Sequence, residues 1–141
     1  LLIKTYIDCN IIIDWVMDRE PFSYYSARII ELVENQKIIG IVSPLTLANS
    51  YYILNKTLNK KIADEFISDC LQLFKVVPVN VHHLQQAIQN KYKDFEDDIH
   101  AAVAIENNVD FLITRNTKDF HSTNFKVIDA EGFINEFKNT R

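Results

Sequence analysis

The stretch Lys4-Thr5-Tyr6-Ile7-Asp8-Cys9-Asn10-Ile11-Ile12-Ile13-Asp14 decides the fold. Its first half is short, β-branched and aromatic, and it stops at an acid. Its second half is a compact apolar run. The pair predicts a strand over 4–7 ending at Asp8, then a short helix over 11–17.

The same alternation repeats outward from there. Ala27, Ile30, Leu32 and Val33 recur at helical spacing with Glu31 and Glu34 outward, which predicts a helix over 22–36. Ile38-Ile39-Gly40-Ile41-Val42 reads as a second, buried strand. Ser43-Pro44 then opens a helix, since proline suits a first helical turn. Two helices, 45–58 and 61–74, are expected to meet around Asn59. Val76-Val77-Pro78-Val79 reads as a third strand, with its proline favouring a terminus or edge. Helices over 81–92 and 95–108 follow, then strands at 111–114 and 125–128 and a closing helix over 130–138. Short strands separated by helices imply a parallel sheet covered on both faces. The expectation is a three-layer α/β/α sandwich with a central parallel sheet of about five strands, forming one domain over 1–141.

Bulk properties agree with this. The chain has 141 residues, 48% hydrophobic and 24% charged, the balance of a globular domain with one core. Two glycines and three prolines leave little room for long linkers. No apolar run approaches the roughly 20 residues that span a bilayer, and Leu1-Leu2-Ile3-Lys4-Thr5 lacks a signal-peptide layout. The missing initiator Met points to a trimmed or partial N-terminus. Cys9 and Cys70, set in apolar patterns without a C-x-x-C pair, are expected to be free buried thiols in a reducing cytoplasm rather than zinc ligands. A net charge of −4 argues against a passive nucleic-acid coat, which needs a basic surface. It leaves a nuclease open, because acids gathered around a divalent cation lower the formal charge.

In open parallel sheets, sites form at the carboxyl ends of strands. The first strand ends in Asp8-Cys9-Asn10, with Asp14 a turn further on. The fourth ends in Thr114-Arg115-Asn116-Thr117-Lys118-Asp119. Between them, Asp94-Phe95-Glu96-Asp97-Asp98 opens a helix. Carboxylates converging at one edge repel unless a cation joins them, and hard oxygen ligands suit Mg²⁺ or Mn²⁺. Asp8, Asp97 and one of Asn116 or Asp119 make a plausible cradle. Each piece also has an ordinary structural reading. Asp94-x-x-Asp97 fits a helix cap, and Asp119 fits a turn. Asp8 is harder to explain that way, because a carboxylate after an apolar strand needs a partner. His82 and His83, without an acidic partner at metal-ligand spacing, are assigned surface or capping roles, and His121 a solvent-exposed one. His100 shares a helix face with Asp97 and is a packing or support residue. Tyr24-Tyr25 and Tyr51-Tyr52 are expected in the core.

These segments, in this order, resemble the PIN-domain family, including the VapC-type toxins of bacterial toxin–antitoxin pairs. Tyr6 to Asp14 is similar to the family's opening D-x-N motif, and Val42 to Asn49 to its second. Asp94 to Ala102 and Leu112 to Phe120 are similar to its third and fourth. The resemblance spans nearly the whole chain. It implies a Mg²⁺- or Mn²⁺-dependent endoribonuclease site of three or four acids. Asp8 then takes the first position and Asp97 the third. The fourth falls on Asn116, with Asp119 three residues on. The second acid, usually Glu, falls on Asn49, which keeps an oxygen but removes a charge. Glu96 beside Asp97 is a candidate to compensate, and the Asp-Phe-Glu-Asp form is similar to that of a PIN subgroup that departs from the four-acid pattern.

On this reading Asp8, Asp97 and Asp119 carry hydrolysis of single-stranded or looped RNA, with Asn116 adding a metal oxygen. Asn10, Asn49 and Glu96 support the ligands, and Arg115 and Lys118 contact RNA phosphates. A small antitoxin and a homodimer are the partners the resemblance implies. A PIN-like binding module with little or no activity is the second hypothesis, favoured by the amides at Asn49 and Asn116. A haloacid-dehalogenase-type phosphotransferase is the third. It would want an acid where Asn10 stands.

Overall fold

The computed structural model describes residues 1–90, 94–122 and 124–140. Five parallel strands form one sheet: β1 (Ile3–Ile7), β2 (Ile38–Val42), β3 (Lys75–Val76), β4 (Phe111–Ile113) and β5 (Lys126–Ile128). Among the described residues, seven α-helices join and cover them: α1 (Cys9–Val16), α2 (Ser23–Glu34), α3 (Pro44–Thr57), α4 (Lys60–Leu73), α5 (Val81–Asn90), α6 (Phe95–Glu106) and α7 (Ala130–Asn139). The three-layer arrangement expected from the sequence is present. The expected end of the fifth helix at Tyr92 lies outside the described residues. Among the described residues, no helix is long and apolar enough to cross a membrane.

Strand neighbours show why both faces are covered. Tyr6, Ile41 and Leu112 lie in register and point to one side, where they pack with Ile99, Val103 and Ala104 of α6. Ile7, Val42 and Ile113 point to the other, into a core built from α1, α2, α4 and α7. Period-two alternation with apolar residues on both sides is what a sandwiched parallel sheet requires.

Local chemistry sets the element ends. Pro78 has no amide hydrogen, so β3 stops after Val76, short of the expected span, with one last bond from Val77 N to the Val42 carbonyl at 2.9 Å. Ser43 caps α3, and its N–H and hydroxyl form a reciprocal box with Thr46. Asn59 caps α4 through a 2.9 Å bond from Ile62 N, so the two middle helices do break there. Gly40 sits where a Cβ would meet Val33 Cγ2 at 2.9 Å and Phe74 Cδ1 at 3.0 Å, and its absence lets α2 lie close on β2.

Strand order is β3-β2-β1-β4-β5. The chain runs outward on one side of β1, then returns to start β4 on the other. The switch point therefore lies between β1 and β4, and the crevice beyond their carboxyl ends is where such sheets bind ligands.

The core expectation for the tyrosine pairs is corrected in part. Tyr24 and Tyr52 are exposed, while Tyr25 and Tyr51 are half-buried. Adjacent helical residues point about 100° apart, so a pair cannot both face one core. Cys70 is buried as expected, Cys9 only half so, and both are free.

Candidate active site

Asp8 sits at the switch point, as the N-cap of α1. Its Oδ1 accepts from Cys9 N at 2.8 Å, and its Oδ2 accepts from Thr114 Oγ1 at 2.7 Å and from Asn10 Nδ2 at 3.2 Å. Asn10 Oδ1 in turn accepts from Arg115 N at 3.2 Å, and Thr114 Oγ1 accepts from Asn116 N at 3.0 Å. Asp8 is thus clamped to the loop after β4 by two side chains, Asn10 and Thr114. That loop continues into a 3₁₀ turn, Thr117–Asp119.

Asp97 enters from α6. Asp94 caps this helix by accepting from Asp97 N at 3.1 Å, so the capping reading of Asp94-x-x-Asp97 holds. Capping and site roles coincide here, because the cap brings Asp97 to the crevice. Partial burial and the charges of Asp94, Asp8 and Asp119 push the Asp97 carboxyl up to about 6. The charges of Asp94, Asp8 at the head of α1 and Asp119 in the 3₁₀ turn thus all bear on Asp97. Asn116 is exposed beside them, and Lys118 is exposed on the rim.

Asn49 and Glu96 meet directly: the Asn49 amide donates to Glu96 Oε1. His100 Nε2 lies 3.9 Å from the same oxygen. His100, first, and then the Asn49 bond draw the Glu96 carboxyl below its ordinary value. Burial and the charges of Asp8 and Glu96 push the Cys9 thiol up to about 12, so both carboxylates bear on one side chain. Glu96 thus stands near the position that Asn49 leaves without charge. His100 is buried, with Nδ1 2.6 Å from the Tyr6 hydroxyl, which also donates to Ser43 Oγ at 3.0 Å. The support reading of His100 fits this network.

Two clusters were not legible beforehand. Asp14, fully buried, faces Arg115, with Nε and Oδ2 2.9 Å apart. Burial raises the Asp14 carboxyl, and Arg115 then Arg19 oppose the shift. The phosphate-contact expectation for Arg115 therefore needs refining, because one edge of its guanidinium is occupied. The second cluster keeps the expected roles, His82 exposed and His83 capping α5, and adds an acidic partner that sequence spacing did not reveal. His83 is buried, and Glu106, 23 residues on, accepts from both His82 Nε2 (2.7 Å) and His83 Nε2 (2.8 Å). Asn80 N donates to His83 Nδ1 at 2.9 Å, so the neutral ring carries its proton on Nε2. A metal at Nε2 would displace that proton, so the three groups form a hydrogen-bonded clasp between α5 and α6.

A family model described as PIN domain matches residues 4–118. The chain belongs to the PIN domain family. No curated protein sequence matches it. Among solved structures, this PIN domain is similar to DNA-bound VapBC from Salmonella typhimurium (TM-score 0.68, 16% identity, 92% of this chain and 99% of that one). It is similar to VapBC-1 from nontypeable Haemophilus influenzae (0.67, 22%, 92% and 99%). It is also similar to VapC20 of Mycobacterium tuberculosis, described as a sarcin–ricin-loop-cleaving toxin (0.64, 14%, 85% and 92%). At these identities the likeness is one of fold, and the site rests on the residues themselves.

Proposed function

We propose that this PIN domain is a divalent-metal-dependent endoribonuclease acting in the cytoplasm as the toxin of a toxin–antitoxin pair. The observation that carries the reading is the convergence of Asp8, Asp97 and Asp119 at the switch point between β1 and β4. The donor set fits a hard cation: carboxylate and amide oxygens, with Asp97 raised by burial first and then by the charges of Asp94, Asp8 and Asp119. Asp8, Asp97, Asp119 and the Asn116 amide oxygen would hold Mg²⁺ or Mn²⁺. Such an ion supplies charge for a phosphoryl oxygen and acidifies water.

The rest of the work falls to the chain itself. Thr114 and Asn10 both donate to Asp8 Oδ2 and fix the carboxylate at the head of α1. Asn49 and His100 hold Glu96 at the rim. Lys118 offers a phosphate contact to single-stranded or looped RNA. By analogy with the VapBC assemblies, a small antitoxin protein and a second copy of the chain are the expected partners.

The amides at Asn49 and Asn116 favour a second reading, a PIN-like binding module without cleavage. Both are tested by incubating RNA with the protein in Mg²⁺ or Mn²⁺, beside Asp8→Ala and Asp97→Ala. Cleavage lost in both variants, with unchanged circular dichroism, supports the nuclease. Equal cleavage by Asp8→Ala refutes the assignment, and no cleavage or ion binding at millimolar metal favours the module.

A further inference from the structure

A cavity of about 340 Å³ opens between α1, α2 and the start of α7, next to the cradle. Asn116 lines it, and Arg115 reaches it from the loop that Asn10 ties to Asp8. Phe22 and Tyr25 provide aromatic walls. In its lining, Asp14 Oδ1 and Ser26 Oγ are buried without a hydrogen bond, and Asp14 Oδ2 meets Arg115 Nε as an ion pair at 2.9 Å. Unpartnered buried polar atoms around one cavity are rare in folded proteins and call for an explanation.

Arg115 is the organising group. Asp14 lies 2.9 Å from its Nε, the Phe22 ring lies 4.3 Å beneath its Cζ, and its two terminal nitrogens make no hydrogen bond to a described residue. The guanidinium is braced on one edge and one face, with its donor fork unoccupied. Opposite in charge, Asp129 and Glu131 from α7 line the same cavity. Asp129 Oδ1 is used to cap α7, accepting from Gly132 N at 2.7 Å. Its Oδ2 and the Glu131 carboxylate have no such duty.

We propose that this cavity is a nucleobase pocket selective for guanine, holding the base next to the cleaved phosphate; the proposal rests on the nuclease reading above. Guanine alone among the four bases pairs an all-acceptor edge, O6 and N7, with a neighbouring all-donor edge, N1–H and N2–H₂. The first matches an arginine fork. The second matches carboxylates. Adenine sets an amino group beside N7, where it would face the guanidinium. Pyrimidines lack the N7 acceptor. A base fills the aromatic part of the volume by stacking.

The test uses nucleoside 5′-monophosphates titrated into the full chain in EDTA, followed by amide NMR shifts. GMP is expected to bind about tenfold more tightly than AMP, CMP or UMP, the discrimination of one bidentate pair. IMP, without N2, and 7-deaza-GMP, without N7, should each bind several-fold more weakly than GMP. Glu131→Gln, at an exposed position, should reduce the GMP–IMP difference without disturbing the fold. Arg115→Ala should abolish selectivity if it folds. Equal binding of all four nucleotides, no binding, or preference for N-acetyl-arginine amide overturns the pocket. Selective GMP binding without metal-dependent cleavage overturns the nuclease reading alone. Cleavage of oligonucleotides regardless of a flanking guanine, with no GMP preference, overturns the pocket alone.

Discussion

Replacing Asp97 by Asn should stabilise the metal-free protein. The Asp97 carboxyl is raised from 3.8 to about 6, chiefly by burial and then by Asp94, Asp8 and Asp119. The folded chain therefore binds this proton more tightly than the unfolded chain does. Stability linked to it is fully present below about pH 4 and is lost as pH rises through about 6. Two units at 1.36 kcal/mol each set an upper bound of roughly 3 kcal/mol. Asp97 is only half-buried, so screening by water cuts this to about 1–2 kcal/mol. The carboxylate also favours the α6 dipole by about 0.3–1 kcal/mol, a smaller term of opposite sign. The net expectation is a gain of about 1 kcal/mol for Asp97→Asn at pH 7.5 in EDTA, or roughly 3 °C in melting temperature. Urea unfolding followed by circular dichroism reads it directly. At pH 4 the two proteins should be equal. Adding Mn²⁺ should reverse the order, because only the wild type gains binding energy from the ion. A variant no more stable than wild type in EDTA at pH 7.5 would refute the raised Asp97 carboxyl from which the gain is worked.

The remaining predictions concern neighbouring groups. Arg115→Ala strands the fully buried Asp14 carboxylate and should cost about 3 kcal/mol in urea unfolding, whereas Asp14→Asn leaves a half-buried guanidinium in reach of water and should cost under about 1 kcal/mol. Equal losses would mean that the pair is not asymmetric. Glu96→Gln should weaken Mn²⁺ binding about tenfold by calorimetry, and Asn49→Glu in that background should restore it. Gly40→Ala forces a Cβ to within 2.9 Å of Val33 and 3.0 Å of Phe74 and should destabilise by about 1–3 kcal/mol.

Much of the sandwich is legible along the chain because its strands are short β-branched runs and several of its helices carry their own caps. Ser43, Asn59, Asp94 and Asp129 all mark real helix starts. What sequence spacing cannot reveal is who meets across the sheet. Asp14 and Arg115 pair only because β4 lies beside β1, an adjacency fixed by strand order and not by distance along the chain. His83 and Glu106 pair because α5 and α6 pack side by side, which joins a histidine that caps α5 to a carboxylate 23 residues on.

The Asn49–Glu96 contact shows how this bears on function. Read along the chain, position 49 has lost a carboxylate, and the cradle looks one charge short. In space, α6 returns a carboxylate to the same corner, held by the amide that replaced the acid. An amide is the right replacement for that arrangement. It donates to Glu96, where a second carboxylate would repel it and raise the pKa of both. The substitution at 49 and the acid at 96 therefore work as a pair: either alone would leave a missing charge or an excess one. On the nuclease reading proposed above, Glu96 would supply, by its position in the fold, the charge that Asn49 does not carry.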